Sequence, residues 1–272
     1  MRTRFLVQKK EYTTTVLEMP ILGGMAVASL CWKNKETHMN LVIKFPTRNR
    51  PDKFKAVFTR YLTFLSGRHD VRFIVTMDED DATMNNSAMH QWIATRARCA
   101  NIECFYGQSK SKIEACNANL EGVDGDVLLL ASDDMVPVQM GYDDIIAKVY
   151  EQAFPDYDGA IKFWDGLRPK EDPLMTLTVM GFPLYKRFGY IYNPEYKSLY
   201  CDNEQTQVCM ALGKLRRCDL CIIQHQWTSE PFDTLHARNE NAEMYGVDGE
   251  TFKRRAANKF DMEAMFNAST SK

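Results

Sequence analysis

The sequence of 272 residues has few cysteines, no excess of charge of either sign and no uninterrupted apolar run long enough to span a membrane. Its eight cysteines are scattered without framework spacing, which favours reduced thiols over a disulfide-stabilised domain. Lys plus Arg number 34 and Asp plus Glu 36, giving a net charge of -2. No global basic field therefore draws the protein to nucleic acid or to an anionic membrane.

The longest apolar stretch, Val16 to Trp32, is interrupted by Glu18 and Pro20 and is shorter than the roughly 20 apolar residues of a spanning helix. The N-terminus is basic but has no compact apolar region followed by a small-residue cleavage site, so a secretory signal is not expected. We therefore predict a cytoplasmic protein without membrane insertion.

No internal repeat and no Gly/Ser-rich or Pro-rich linker divides the chain, and 45% hydrophobic residues exclude a disordered protein. We predict one continuous domain from residue 41. Residues 1–40 are interpreted as an N-terminal extension packed on or beside it.

Short apolar runs alternate with segments of helical periodicity in the first half of the domain. The predicted strands are Leu41 to Phe45, Val71 to Met77, Ile102 to Tyr106 and Asp126 to Ala131. The predicted helices follow Pro51 as far as Gly67, and run from Met84 to Arg98 and from Lys110 to Leu120. This order predicts an α/β fold with a single Rossmann-like, mixed but mostly parallel sheet flanked by helices.

The later pattern is less regular. It predicts helices at Tyr142 to Phe154 and Asn203 to Leu212, strands at Gly159 to Trp164, Leu174 to Gly181 and Leu220 to Trp227, and then a charged tail of loops and helix.

Ligands of such sheets bind beyond the carboxyl ends of the strands. The Ser132-Asp133-Asp134 segment follows the fourth strand, and its carboxylates are hard oxygen ligands for a divalent cation, although Asp is also common in turns. No G-x-G-x-x-G and no P-loop follows the first strand, which argues against a dinucleotide-dependent dehydrogenase and a P-loop enzyme.

Two further loops at this edge carry charge. Asp78 directly follows the second strand and can accept hydrogen bonds from a base or ribose, whereas Asp80 and Asp81 are interpreted as a solvated loop and a helix cap. Arg48 and Arg50 follow the first strand, where guanidinium groups suit phosphate, and a solvated turn is an equal alternative.

Cys218-x-x-Cys221 suggests zinc, but on one strand these two side chains would point to opposite faces, while Cys221 and His225 would share one. A zinc site is therefore disfavoured. His225 alone is compatible with a packed histidine, a metal ligand or an acid/base group.

In their order, these segments resemble the GT-A nucleotide-sugar glycosyltransferases, particularly the inverting family 2 type, from about Leu41 to Phe260. FPTRNRP resembles the opening strand and turn of that family, KIEACNANLEG resembles the helix before its metal motif, and LLLASDDM stands at the Asp-x-Asp position. Ala131 replaces the first Asp of that motif, which leaves open whether Asp133 or Asp134 is the ligand.

The late segments resemble the family as well. YCDNEQTQVCMALG is similar to the family's acidic helix start, with Cys201 in place of the usual Glu, and CIIQH is similar to the strand whose His completes metal binding. The resemblance makes Asp202 the catalytic base and raises the metal-ligand interpretation of His225.

The resemblance implies transfer of a sugar, with inversion, from a nucleoside-diphosphate sugar, preferably a UDP-sugar, to an acceptor hydroxyl with the aid of Mn²⁺ or Mg²⁺. The implied donor-binding residues are Pro46, Thr47, Arg48, Asp78, Lys112, Asn117, Ser132 and Asp133. The implied metal ligands are Asp133, Asp134 and His225. Residues 41–137 would form the donor-binding half and residues 138–272 the acceptor-binding half.

Acceptor binding is assigned to Trp164, Asp165, Gly181 and the six aromatic residues between Tyr185 and Tyr200, for which core packing is an equal alternative. The acceptor is left open between a glycan, a protein, a small metabolite and a modified nucleobase. Two alternative functions remain. A sugar-phosphate nucleotidyltransferase is disfavoured because PTRNRP has no glycine, and a non-catalytic nucleotide- or glycan-binding relative is kept open by Ala131 and Cys201.

Overall fold

The structure, a computed structural model, describes residues 38–226 and 234–262. Of the predicted N-terminal extension, residues 1–37 lie outside this description, as does Trp227 at the end of the last predicted strand. No helix in the described part of the chain combines the length and apolar character needed to cross a bilayer.

The secondary structure alternates between strands and helices as far as residue 153. The strands are β1 (Asn40–Pro46), β2 (Asp70–Asp78), β3 (Asn101–Gly107), β4 (Val127–Leu130), β5 (Met135–Pro137), β6 (Ala160–Phe163), β7 (Val179–Gly181), β8 (Leu215–Cys218) and β9 (Ile223–His225). The helices are α1 (Pro51–Thr63), α2 (Ser87–Arg96), α3 (Lys112–Asn117), α4 (Tyr142–Ala153), α5 (Phe182–Phe188), α6 (Cys201–Ala211), α7 (Thr234–Asn239) and α8 (Ala242–Ala257), and a 3₁₀ turn, Lys259–Asp261, follows α8.

Seven strands form one sheet in the order β3-β2-β1-β4-β7-β6-β8, and β5 pairs with β9 in a separate two-stranded sheet. β1 is parallel to both β2 and β4, and β3 is parallel to β2. β7 runs antiparallel to its neighbours β4 and β6, while β8 is parallel to β6. The prediction of a mixed, mostly parallel sheet is confirmed, as are its first four strands.

The second half differs from the predictions at several places. Only the last three residues of the predicted strand Leu174 to Gly181 form a strand, because the main-chain N–H of Met175 donates to the Thr206 hydroxyl (3.0 Å) rather than to a neighbouring strand. The predicted strand Leu220 to Trp227 is reduced to β9. Because β8 ends at Cys218, the supposition that Cys218 and Cys221 share one strand is wrong.

The sheet is covered on both faces, and β1 contributes to both cores. Leu41, Ile43 and Phe45 pack in one core with the aromatic side chains of α1, while Val42 packs in the other with α3 and α5. This explains the unbroken apolar run of β1, because alternate residues of a doubly covered strand both face apolar surroundings.

Lys44 interrupts that apolar run with a charge. It is fully buried on the same face as Val42, and its ammonium donates to the Thr76 hydroxyl, which in turn donates to Asn119 Oδ1 (2.9 Å). Burial lowers the pKa of Lys44 from 10.5 to about 8. The folded chain therefore carries an ammonium group whose charged form it disfavours.

Burial of the charged Lys44 side chain lowers the free energy of unfolding, and replacing Lys44 by methionine tests this effect through its dependence on pH. Between about pH 8 and 10.5 the unfolded chain retains the Lys44 proton that the folded chain has released, so wild-type stability rises with pH in this window. We expect the free energy of unfolding of Lys44→Met relative to wild type to fall by about 3 kcal/mol across the window, measured by urea denaturation. The exposed Lys110→Met is the control, and an equal pH dependence of both variants would contradict the assignment.

Candidate active site

A cavity of about 750 Å³ lies at the carboxyl ends of β1, β2 and β4. Its lining includes the predicted residues Pro46, Thr47, Arg48, Asp78, Lys112, Ser132, Asp133, Asp134, Asp202 and His225. The remaining predicted residues, Asn117, Trp164, Asp165 and Gly181, are not in the lining. The structure thus brings together the base candidate, the metal candidates and every donor candidate except Asn117, and leaves the acceptor candidates Trp164, Asp165 and Gly181 outside.

Strand register explains why the first loops converge. β1 pairs with β2 and with β4 at the same time, and the hydrogen bonds continue past the strand ends from Thr47 N to Thr76 O (3.0 Å) and from Ala131 N to Lys44 O (2.8 Å). Because the three strands are parallel, the segments that follow them leave at one edge of the sheet.

Ion pairs connect these loops to one another. Arg48 Nη1 contacts Asp78 Oδ2 and Asp80 Oδ1, both at 2.6 Å, and the Asp80 and Asp78 carboxylates raise the pKa of Arg48. Arg50 Nη1 contacts Asp133 Oδ1 at 2.8 Å. The two arginines, for which the sequence left phosphate binding and a solvated turn as equal alternatives, are therefore bonded to carboxylates in this structure.

The acidic residues Asp80 and Asp81 after β2 stabilise their loop through hydrogen bonds and ion pairs instead of lying free in solvent. Asp81 is buried and accepts hydrogen bonds from the main-chain N–H groups of Asn49 (2.7 Å) and Thr83 (3.0 Å). The cap of α2 is Asn86, which accepts from Met89 N at 3.0 Å. The interpretation of Asp80 and Asp81 as a helix cap is wrong, because the loop turns several residues further before α2 begins.

Asp133 and Asp134 have different surroundings although they are adjacent. Asp133 is buried against Arg50, and burial raises the pKa of its carboxyl group in spite of that guanidinium. Asp134 accepts a hydrogen bond from the Ser132 hydroxyl. Burial acts against ionisation of Asp134 too, but His225 and Ser132 outweigh it and lower its pKa. Of the two adjacent carboxyl groups, Asp134 is therefore the one that the structure favours in its ionised form.

The β5–β9 pair places His225 beside Asp134. Met135 lies opposite His225 in this antiparallel ladder, and Gln226 N donates to Asp134 O at 2.7 Å. His225 Nε2 lies 3.7 Å from Asp134 Oδ2, and the buried Nδ1 has no hydrogen-bond partner among the described residues. Neither β5 nor this pairing was predicted from the sequence.

Asp134 and His225 fit a divalent cation that shares its coordination with a substrate. Among the described residues no three metal-ligating side chains come together. However, Mg²⁺ at phosphate sites commonly takes one or two protein carboxylates and completes its shell with phosphate oxygens and water, and imidazole is a suitable additional ligand for Mn²⁺. Asp133, held by Arg50, is the less suitable carboxylate.

Asp202 lies in the first turn of α6 and faces the cavity. The residue that caps this helix is Tyr200, so α6 begins at Cys201, two residues before the predicted start at Asn203, and Asp202 lies inside it. Its Oδ1 accepts from Asn203 N at 2.9 Å. Burial raises the pKa of Asp202, and the ammonium of Lys112 opposes this shift. A carboxylate with a raised pKa is a stronger base than an ordinary aspartate.

The residues outside the lining have other contacts. Asn117 Oδ1 accepts from the main-chain N–H groups of Ile191 (2.9 Å) and Tyr192 (3.1 Å). Trp164 Nε1 donates to Arg168 O (2.8 Å), and Asp165 Oδ1 accepts from Arg168 N (3.0 Å). These side chains shape the loops around the cavity.

Several lining residues were not singled out from the sequence. They include Thr76, Arg168, Leu235, Arg238, Asn239, Glu240 and Tyr245. Of the aromatic residues between Tyr185 and Tyr200, only Tyr192 and Tyr200 line the cavity, and the others pack in or against the second core. No local motif marks the residues of α7 and α8, because their position depends on how the end of the chain folds back.

The fold and this arrangement can be compared with known proteins. No protein-family model and no curated protein sequence matches the chain. Solved structures do. The mannosyltransferase PcManGT from Pyrobaculum calidifontis, in complex with GDP-Man and Mn²⁺, has a TM-score of 0.57 and 14% identity over 74% of this chain and 61% of its own. S. aureus TarS 1-349 in complex with UDP-GlcNAc has a TM-score of 0.56 and 13% identity, covering 77% and 64%.

The chain has the GT-A fold of nucleotide-sugar glycosyltransferases. This confirms the fold that the sequence resemblance implied. The chain spans less than two thirds of the length of these neighbours, 61% of PcManGT and 64% of TarS 1-349. At such low identity the likeness concerns the GT-A fold, and the activity has to be argued from the residues of this chain.

The GT-A sheet gives Gly181 a clear structural role at the end of β7. A Cβ atom added to it would lie 1.6 Å from the carbonyl oxygen of Tyr157. We expect Gly181→Ala to lower the free energy of unfolding by about 3 kcal/mol or more, measured by chemical denaturation. Gly107→Ala, whose added Cβ meets nothing within 4 Å, should change it by about 1 kcal/mol or less. Equal effects would show that Tyr157 does not restrict this position.

Proposed function

We propose that this protein is a metal-dependent, inverting glycosyltransferase that moves a sugar from a nucleoside diphosphate to an acceptor hydroxyl. The observation that carries the proposal is the convergence of Asp78, the Asp134–His225 pair and Asp202 on one cavity at the carboxyl edge of a GT-A sheet. Residues 41–137 supply the donor-binding half of the site and residues 138–272 the acceptor-binding half.

The donor half binds the nucleotide. Asp78 would accept hydrogen bonds from the base or ribose, with Pro46, Thr47 and Arg48 beside it. Lys112 lines the cavity and interacts electrostatically with Asp134, so its charge suits the diphosphate. Asp134 and His225 would hold Mn²⁺ or Mg²⁺, and a cation there would neutralise negative charge on the leaving diphosphate.

Asp202 supplies the chemistry at the acceptor. Its carboxylate takes the proton of the acceptor hydroxyl while that oxygen forms a bond to the anomeric carbon. The bond between this carbon and the phosphate oxygen breaks on the opposite face, and the nucleoside diphosphate leaves with the electron pair. Attack opposite the leaving group inverts the anomeric configuration.

A UDP-sugar is the favoured donor, and GDP-mannose is the alternative to test. The solved neighbours include TarS in complex with UDP-GlcNAc and PcManGT in complex with GDP-Man, so both nucleotides have a precedent on this fold. A nucleotidyltransferase would release pyrophosphate instead of a nucleoside diphosphate. A non-catalytic relative would bind the nucleotide without turnover.

Donor binding should raise the melting temperature only when a divalent cation is present. We expect UDP, UDP-GlcNAc or GDP-mannose with Mn²⁺ to stabilise the wild-type protein by about 2.7 kcal/mol at 100 times Kd, measured by thermal denaturation. Asp134→Ala should lose the metal-dependent part, because the cation would lose its ionised carboxylate.

Two further variants make this test specific. Asp133→Asn removes only the charge that faces Arg50, and we expect it to keep a metal-dependent shift. Glu121→Gln, on an exposed residue away from the cavity, should behave as wild type. A metal-dependent shift that survives Asp134→Ala but not Asp133→Asn would move the cation to Asp133.

Asp202→Asn tests the base. The amide cannot accept the proton, so release of nucleoside diphosphate from the donor should fall about 10²- to 10⁴-fold, whether the acceptor is a sugar or water. The nucleotide-induced melting shift should persist. In the wild type, the acidic limb of the pH–rate profile should lie above the usual aspartate range, because burial raises the pKa of Asp202. An unchanged rate for Asp202→Asn would refute its role.

A further inference from the structure

The connection that leads into α6 has an unusual conformation directly before Asp202. Tyr200 has a φ of 60°, in the left-handed region that a bulky side chain rarely adopts. The four residues before Asp202, Ser198 to Cys201, all line the cavity. A strained backbone of this kind persists only when its surroundings hold it.

A carboxylate of α8 holds this connection. Asp248 is fully buried, and its Oδ1 accepts from Lys197 N at 2.8 Å. Its Oδ2 accepts from Ser198 N at 2.8 Å and from Leu199 N at 2.7 Å. Three successive main-chain N–H groups that converge on one anion form a strong and directional contact.

Other residues of α8 contact the same region. Phe252 packs on the Tyr200 ring, with centroids 5.8 Å apart. Arg255 is buried and contacts Glu204 of α6 through two hydrogen bonds, from Nε (2.7 Å) and Nη2 (2.8 Å). Glu204 is two residues beyond Asp202, so residues of α8 form hydrogen bonds with the chain both before and after the proposed base.

We propose that Asp248 is a positioning residue that, together with Arg255, fixes the first turn of α6 so that the Asp202 carboxylate faces the reacting hydroxyl. This inference rests on the proposed function, because Asp202 is its catalytic base. Asp248 itself does not line the cavity. It acts only through the main chain of residues 197–199, and its loss should alter the rate more than nucleotide binding.

Asp248→Asn is the direct test. An amide keeps the size but has one acceptor oxygen instead of two, and it turns an N–H donor toward the main-chain N–H groups. We expect kcat for nucleoside diphosphate release to fall by about tenfold to 100-fold, with the KM for the nucleotide sugar and the metal-dependent melting shift kept. A fall in binding with kcat unchanged would contradict positioning of the base.

Cysteine labelling gives a second readout that does not depend on activity. Cys201 is 5% exposed and lies between Tyr200 and Asp202, whereas Cys209 is fully buried further along the same helix. In Asp248→Asn we expect N-ethylmaleimide to label Cys201 at least about tenfold faster, measured by peptide mass analysis, because the first turn opens locally. Cys209 should stay protected, which distinguishes local opening from global unfolding.

Asp143→Asn is the matched control. Like Asp248, Asp143 is fully buried and does not line the cavity. It lies in the first turn of α4 and accepts hydrogen bonds from the main-chain N–H of Ser66 (2.8 Å) and from the Ser66 hydroxyl (2.7 Å). This variant should lose stability without faster labelling of Cys201 and without a change in kcat. The same effects in Asp143→Asn as in Asp248→Asn would overturn the proposal.

Two further results for Asp248→Asn would also count against the proposal. Unchanged Cys201 labelling in Asp248→Asn, or faster labelling with unchanged kcat, would overturn the positioning role. If this variant does not fold, Arg255→Lys, which keeps the charge but loses the two-pronged contact with Glu204, is judged by the same two measurements. Absence of turnover in the wild type with every donor would instead refute the proposed function.

Discussion

The parallel pairing of β1 with both β2 and β4 is the constraint on which the site depends. It places the chain segments after three strands at one edge of the sheet, so side chains distant in sequence become neighbours. Arg48 reaches Asp78 and Arg50 reaches Asp133 only because these strands end together. A shift in strand register would separate the partners of both ion pairs and would leave buried charges without compensation.

These ion pairs also determine the charge that the cavity would present to the diphosphate of the proposed donor. Both arginines of the first loop are bonded to carboxylates, so much of their charge is already compensated before a ligand arrives. Lys112 and Arg238 add positive charge to the lining, Arg168 of the lining pairs with Asp172, and Asp134 is held ionised beside His225. A cation at Asp134 would supply the positive charge that the arginines of the first loop do not offer, which gives a physical reason for metal dependence in the proposed reaction.

The sequence predicted the sheet well where strands are local and apolar. β1 to β4 were found because each is a short, mainly apolar run, and the ends of β1, β2 and β4 with the loops after them contain most of the donor and metal candidates. β5 and β8 were missed because they are only three and four residues long. In addition, β5 pairs with β9, which is distant in sequence, and β8 is an edge strand of the large sheet. Asn117 was assigned to the donor although its amide bonds the main chain of Ile191 and Tyr192, a contact that no local pattern reveals.

Helix α8 was the part of the site that the sequence predicted least, because charged residues of this helix are buried. Hydropathy assigns charged residues to the surface, so the composition of α8 indicates a solvated tail. Asp248 and Arg255 are nevertheless buried, because each finds complementary charge or main-chain dipoles on the segment around α6. Removing a charged group from water is tolerated only with such partners. Burial of these charges therefore depends on the conformation of the Tyr200 segment, and that conformation depends in turn on them. The side of the cavity around Asp202 is built from this mutual dependence, whereas the side at the ends of β1, β2 and β4 is built from strand register.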